Sequence, residues 1–292
     1  MRSPAADNGR IDVSYIHWLT GVSLVFVLLE RLFPWRAEQP LLRPGWRRDF
    51  GFIALNGHLF PVWTAALNGG AAAYATSGLR SLGIEVGASG VGAWPFLAQT
   101  LALLVVADFL QWCVHNLLHR VPWLWTFHKV HHSIATMDWI GNWRFHWMEI
   151  VVYKSAQWLP LAWLGASPQA AFTVAVITTF WGEMNHANLS LGLGPLGCVL
   201  NTPRMHLWHH DWSSEGGVSK NFGVVLSVWD FLFGTAYWPR DRHPERLGYP
   251  AMEEMPEGFV GQALWPLTRR AAATRHPVPA AAPGPPASTR RT

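Results

Sequence analysis

Eight histidines of this chain sit at spacings that a helix turns into shared faces, and no other feature constrains the fold as tightly. His115 and His119 are four residues apart, His128, His131 and His132 form a triplet at i, i+3 and i+4, and His206, His209 and His210 repeat it. Residues three and four apart on an α-helix lie on one face. The spacing therefore predicts helices here, with each triplet aiming its imidazoles at a single point. Ten of the fourteen histidines fall between His115 and His210. Neutral imidazole is the commonest metal ligand in proteins, and a tetrahedral ion takes about four protein ligands. Eight clustered histidines imply a binuclear, nearly all-histidine metal site.

A lone histidine is usually a solvated or satisfied residue. Two identical triplets plus a pair make chance clustering a poor account. In that company His186, in Glu183-Met-Asn-His-Ala-Asn188, reads as a further ligand. His146, in Arg144-Phe-His-Trp-Met-Glu149, fits ligation or a supporting role equally. His17, His58, His243 and His276 lie outside any ligand spacing and read as non-ligands. Metal-bound imidazoles usually donate their other N–H to a carboxylate, carbonyl or water. Asp108, Glu183 and Asp211 are the candidate partners. Asp108 leads, because it lies seven residues before His115 on the same helical stripe.

Half of the 292 residues are hydrophobic, 14% are charged and 19 are tryptophan. Soluble domains average about 25% charged residues. Low charge with abundant indole fits a membrane protein, since Trp favours the headgroup region. The net charge of +4 is modest and its arginines form no single face, so nothing points to nucleic acid. Cys113 and Cys198 provide neither a disulfide framework nor a Cys-rich zinc module. The start lacks the basic, apolar and small-residue succession of a cleaved signal peptide, and none is expected.

Apolar runs organise the chain. Val13–Leu29, Phe50–Ala75 and the run from Trp94 through Val106 read as membrane helices, the third continuing through His115 and His119. Ile150–Leu164 and Ala170–Trp181, hinged at Gly165–Pro168, are short for the ~20 residues a straight span needs. They form a re-entrant hairpin or borrow flanking residues. Residues 76–93 are Gly- and Ser-rich and read as a loop. The tail from about Ala271 reads as disordered. The expected division is an N-terminal membrane part over 1–93, a histidine-box domain over 94–240, and a C-terminal segment over 241–292. Arg36, Arg43, Arg47 and Arg48 place loop 34–49 in the cytoplasm by the positive-inside rule. Counting spans from there puts every histidine motif on the cytoplasmic face. The Trp-rich stretches 123–125 and 139–147 would then frame a lipid entrance at headgroup level.

Open positions on two redox-active ions suit O2 activation, and imidazole suits iron, copper or zinc. The ordered motifs resemble the sterol desaturase/fatty acid hydroxylase superfamily. The residues that carry the resemblance are Asp108-Phe-Leu-Gln-Trp-Cys-Val-His115-Asn-Leu-Leu-His119-Arg-Val-Pro and Trp125-Thr-Phe-His-Lys-Val-His-His-Ser133. They continue with Asn201-Thr-Pro-Arg-Met-His-Leu-Trp-His-His210, Lys220-Asn-Phe-Gly223 and Trp229-Asp-Phe-Leu-Phe-Gly-Thr235. The resemblance implies two iron ions, O2 as oxidant and a lipid substrate. Its ligand set carries over onto His115, His119, His128, His131, His132, His186, His206, His209 and His210. Some relatives have a further histidine before the last box, where this chain has Gly182. A tenth ligand is thus left to His146, a water or a side-chain oxygen. The Asn-Thr-Pro-Arg-x-His stretch also resembles the alkylglycerol monooxygenase branch, which implies a pterin or a reductase chain as electron donor. No dinucleotide-binding glycine fingerprint is present, so the reductant is expected to be a separate partner.

The expected fold is all-α: an integral, multi-pass bundle of about four to five membrane or re-entrant helices with a cytosolic histidine-rich cap. The expected function is hydroxylation of a membrane lipid C–H bond (fatty acyl, sterol or ether lipid). Lipid desaturation at the same site and non-catalytic metal binding are the alternatives.

Overall fold

The computed structural model describes residues 13–59, 90–163, 165–212 and 220–267, together with a few positions between 70 and 83. Among the described residues there is no strand, only helices and three isolated bridges that tie Pro34 to Leu189, Leu200 to Leu226 and Asp211 to Leu247. Part of the second apolar run and the tail beyond 267 lie outside the described residues.

Helix α1 spans Val13–Leu32. Its buried residues Leu19, Val22 and Phe26 follow a helical period and leave Leu24, Val25 and Leu28 exposed on the other side. Helix α2, Trp46–Phe52, runs directly into a π-helical turn over Ile53–Leu59. Gly45 before it has φ 87°, a conformation that favours glycine.

Helix α3 spans Phe96–Arg120. At 1.5 Å per residue it is about 37 Å long, enough for the ~30 Å hydrocarbon core of a bilayer. Among the described residues it alone is long and apolar enough to cross a membrane. Pro122 cannot continue it and opens α4, Pro122–His132, after the extended residue Val121.

Helices α5, Trp147–Trp163, and α6, Pro168–His186, begin a few residues before the apolar runs read from the sequence. Gly165 turns between them at φ 66°, and Ser167 caps α6 by accepting from the Ala170 N–H at 3.3 Å. Three short helices complete the fold: α7 (Pro203–His209), α8 (Val228–Leu232) and α9 (Phe259–Ala263). Residues 77–78 and 80–81 are helical, and 91–93 form a 3-10 turn, so the stretch read as loop is partly helical.

Helix α3 is central, packing against α4, α5 and α6. Leu103 and Ala107 meet Ala170 and Val174 of α6. Phe26 of α1 meets Phe180 of α6 at 5.0 Å between ring centroids.

A buried ionic network joins the arginine-rich loop to the rest. Arg43 pairs with Asp49 at 2.8 Å and Asp138 at 2.7 Å, and Arg144 reaches Asp49 at 3.3 Å. Arg43 is 2% exposed, so this member of the loop's cationic cluster holds the fold together and offers little charge to a membrane surface.

Candidate metal centre

Four helices bring their C-terminal turns to one place. His115 and His119 close α3, His128, His131 and His132 close α4, His186 ends α6, and His206 and His209 close α7 with His210 as its cap. Helix C-termini carry partial negative charge and favour a cation nearby.

All nine sequence-selected histidines are buried, and they fall into two groups. His115, His119, His128, His132 and His209 form one, and His131, His186, His206 and His210 the other, with ligand atoms in each within 4.8 Å of one another. Nitrogens bound to one ion at about 2.0–2.1 Å lie within about 4.2 Å of each other, so each group is within a small contraction of a coordination sphere. The groups adjoin, with the rings of His132 and His210 stacked at 4.4 Å.

This partition corrects the expectation that each triplet serves one point. Residues advance about 100° around a helix, so i and i+4 lie about 40° apart while i+3 falls about 60° to the other side. His128 and His132 accordingly share the first group, and His131 turns to the second. The second triplet does the converse, His206 and His210 joining the second group and His209 the first. Each triplet bridges both groups.

The hydrogen bonds set the tautomers. His115 Nδ1 donates to the Phe222 carbonyl at 2.8 Å, His186 Nδ1 to Gly182 at 2.8 Å, and His209 Nδ1 to Lys220 at 2.7 Å. His128 Nδ1 donates to the Glu149 carboxylate. A carbonyl only accepts, so these rings carry the proton on Nδ1 and present a bare Nε2 lone pair. His115 Nε2 faces His128 Nε2 at 3.2 Å, and His186 Nε2 faces those of His131 at 3.2 Å and His206 at 3.1 Å. His209 Nε2 and both ring nitrogens of His119 and His132 are buried without a partner. The bare lone pairs of His115 and His128 face one another and repel, and a cation between them removes the conflict. The donor set therefore fits two metal ions. Burial, aided by neighbouring imidazoles, holds His128, His131, His132, His206, His209 and His210 well below the usual histidine pKa, in the neutral form a metal requires.

The supporting carboxylates differ from those expected. Asp108 accepts from the backbone N–H of Val225 at 2.8 Å and Leu226 at 3.0 Å, and from the Trp229 indole at 2.9 Å, so it anchors a loop and touches no imidazole. Glu183 accepts from Ser23 and Trp143, both at 2.9 Å. It lies one turn from His186 but bonds elsewhere. Asp211 is tied through its backbone to Leu247. His146 lies outside both groups, its Nδ1 accepting from the Met148 N–H at 3.2 Å and its ring packed on Phe127 at 4.9 Å. The orienting carboxylate that sequence reasoning missed is Glu149. Its position as the acid opening an apolar helix, in the motif that contains His146, was the available signal. Asp230 was also missed. It accepts from Trp112 at 3.0 Å, Phe222 N at 2.9 Å, Gly223 N at 2.8 Å and Thr235 at 2.6 Å, and so fixes the carbonyl that orients His115.

Gly182 explains the missing tenth histidine in part. A Cβ there would meet the Asn142 amide oxygen at 2.4 Å, so any side chain at 182 requires Asn142 to move. Trp125 and Trp143, expected at an interface, are buried at 4% and 7% exposure, Trp125 against His119 at 4.9 Å. Trp123 remains exposed.

A cavity of about 100 Å³ opens beside the histidines and touches His115 of the first group and His131, His186 and His206 of the second. It runs between α3, α5 and α6, with Gln111, Tyr153 and Thr178 among its walls.

Residues 100–235 match the fatty acid hydroxylase family model. Over that stretch the chain is similar to the sterol desaturase/fatty acid hydroxylase superfamily. The superfamily match extends to named relatives. Ornithine lipid hydroxylase OlsE of Rhizobium tropici is 32% identical over 61% of this chain and 53% of its own length. Alkylglycerol monooxygenase of Homo sapiens is 28% identical over 44% of this chain and 28% of its own. A cholesterol 25-hydroxylase-like protein of Danio rerio is 28% identical over 47% of this chain and 55% of its own. The chain thus spans about half or less of the curated relatives it matches. No solved structure matches it.

Proposed function

We propose that this protein is a di-iron, O2-dependent oxidoreductase that hydroxylates a C–H bond of a membrane lipid. The observation that carries this reading is the pair of adjoining all-histidine groups beside one cavity. The named relatives, hydroxylases and monooxygenases of lipids, support it. The nine histidines His115, His119, His128, His131, His132, His186, His206, His209 and His210 are the proposed ligands.

When bound, two iron ions would supply reductive activation of O2 with electrons from a separate donor, a pterin or a reductase chain. The chain's own residues do the rest. Glu149 and the carbonyls of Phe222, Gly182 and Lys220 hold the imidazoles in one tautomer. Three histidines of the four-membered group line the cavity, so that group faces substrate most openly. The apolar helices α3, α5 and α6 exclude water from it and admit a lipid segment sideways from the bilayer. The proposed topology is multi-pass, with the metal site on the cytoplasmic face, where the donor can reach it.

Elemental analysis of protein purified anaerobically with iron is expected to give two ions per chain. Lipid mass spectrometry of expressing cells against cells carrying His131→Ala is expected to show a gain of one oxygen. Loss of two hydrogens instead would assign desaturation. Metal binding with no new product would leave a metal-binding protein.

A further inference from the structure

Two segments flanking α7 carry an exposed apolar surface on the side of α3. Residues 187–203 contain no Asp, Glu, Lys or Arg, and 221–239 contain only Asp230, which is buried under its four hydrogen bonds. Charge returns directly afterwards, with Arg240, Asp241, Arg242, Glu245 and Arg246. The two segments are fastened side by side. Ser227 donates from Oγ to the Gly197 carbonyl at 2.7 Å and from its N–H to the Val199 carbonyl at 3.0 Å, and Leu200 bridges to Leu226. So fixed, they expose Leu191, Leu196, Val199, Phe231, Leu232 and Phe233, Leu232 by 68%. Single exposed apolar residues need no explanation, but a contiguous patch marks an interaction site.

Position along α3 says what covers this patch. Trp112 stacks on Phe233 at 4.8 Å, and Phe109 meets Trp229 at 5.0 Å. Trp112 precedes Arg120, the last residue of α3, by eight residues, about 12 Å of helix. A ~30 Å hydrocarbon core on a helix of about 37 Å leaves only about 7 Å of it outside. Trp112 and Phe109 therefore lie within the core wherever along α3 the bilayer sits, and the rings stacked on their flank lie there with them.

We propose that residues 191–199 and 229–234 form a foot that dips into the leaflet at the C-terminal end of α3, with lipid acyl chains as its partner. This rests on the membrane reading of α3 and adds a second entry into the bilayer, made from one side by segments too short to span it. Charged side chains are costly in the core, and the foot exposes none. Trp238 packs on Gly197 beneath the Arg240 guanidinium at 4.7 Å, and Arg204 donates to the Arg240 carbonyl at 2.6 Å. This group stands where charge resumes, the level at which indole and guanidinium meet headgroups. His115 follows Trp112 by three residues, about 4.5 Å along α3. Seating the foot thus holds the histidine groups at the edge of the hydrocarbon.

The test uses the full-length protein with Cys113 and Cys198 replaced by Ser, in phosphatidylcholine vesicles made with and without dibrominated acyl chains. An NBD fluorophore is attached in turn through Leu196→Cys and Leu232→Cys in the foot, Leu101→Cys on α3, and Glu245→Cys beyond the foot. All four side chains are exposed, so labelling leaves the packed core intact. Brominated lipid should quench the labels at positions 101, 196 and 232, which aqueous iodide should not reach. The label at position 245 should show the reverse. Foot labels open to iodide and insensitive to bromine overturn the proposal. If the label at position 101 is quenched in that case, α3 still spans and only the foot is lost; if it is not, the membrane reading of α3 falls too. Foot labels shielded from both quenchers, with energy transfer between copies, assign the face to a second copy of this chain and also overturn the proposal.

Discussion

Replacing Asp230 by Asn should loosen one histidine group without touching a ligand. Asp230 is fully buried and takes four hydrogen bonds of 2.6–3.0 Å, three on Oδ1 and one, from the Gly223 N–H, on Oδ2. Burial raises its carboxyl pKa, and those bonds oppose the rise. Asn can keep its oxygen toward the three donors only by turning its NH2 against the Gly223 N–H. That orphans a buried donor, at about 1–3 kcal/mol. The three remaining bonds lose their charge assistance, which roughly halves each. Relief of the buried charge offsets part of this, leaving a net loss of about 2–4 kcal/mol. A chain of this size should show it as a fall of about 5 °C in Tm. The loosened segment carries the Phe222 carbonyl that orients His115. Metal affinity should therefore drop in the five-histidine group and hold in the four-histidine group. Differential scanning combined with stepwise chelator titration reads both quantities. Unchanged Tm together with unchanged release of both ions would refute the support role assigned to this carboxylate.

Other perturbations separate the parts of the site. His131→Ala and His209→Ala each remove one imidazole from a different group and should both abolish product in lipid mass spectrometry. His243→Ala, whose ring packs on Trp35 at 5.1 Å outside both groups, should leave product intact. Glu149→Gln replaces the carboxyl group that orients His128 and should weaken metal binding about 10–100-fold in chelator competition; wild-type affinity would end that assignment. Gly223→Ala places a Cβ 2.5 Å from the Leu226 carbonyl oxygen, backbone that cannot swing aside, and overpacking of this kind typically costs about 1–3 kcal/mol in a thermal scan.

The sequence alone determined which histidines would come together and that helices would carry them. Spacings of three and four residues are a local property of the helix, and apolar run length is a local property of composition, so both can be read without knowing any long-range contact. The hinge at Gly165–Pro168 was equally local, and Pro168 opens α6. The tertiary structure decided how the nine imidazoles divide into five and four, because that depends on where each helix end points relative to three others. It also decided the supporting partners. Asp108 and Glu183 were close to ligands in sequence but bond elsewhere, whereas Glu149 meets His128 across 21 residues and Asp230 supports His115 through a loop. A carboxylate's nearest neighbours in space are set by packing between distant segments, and no periodicity along the chain encodes them.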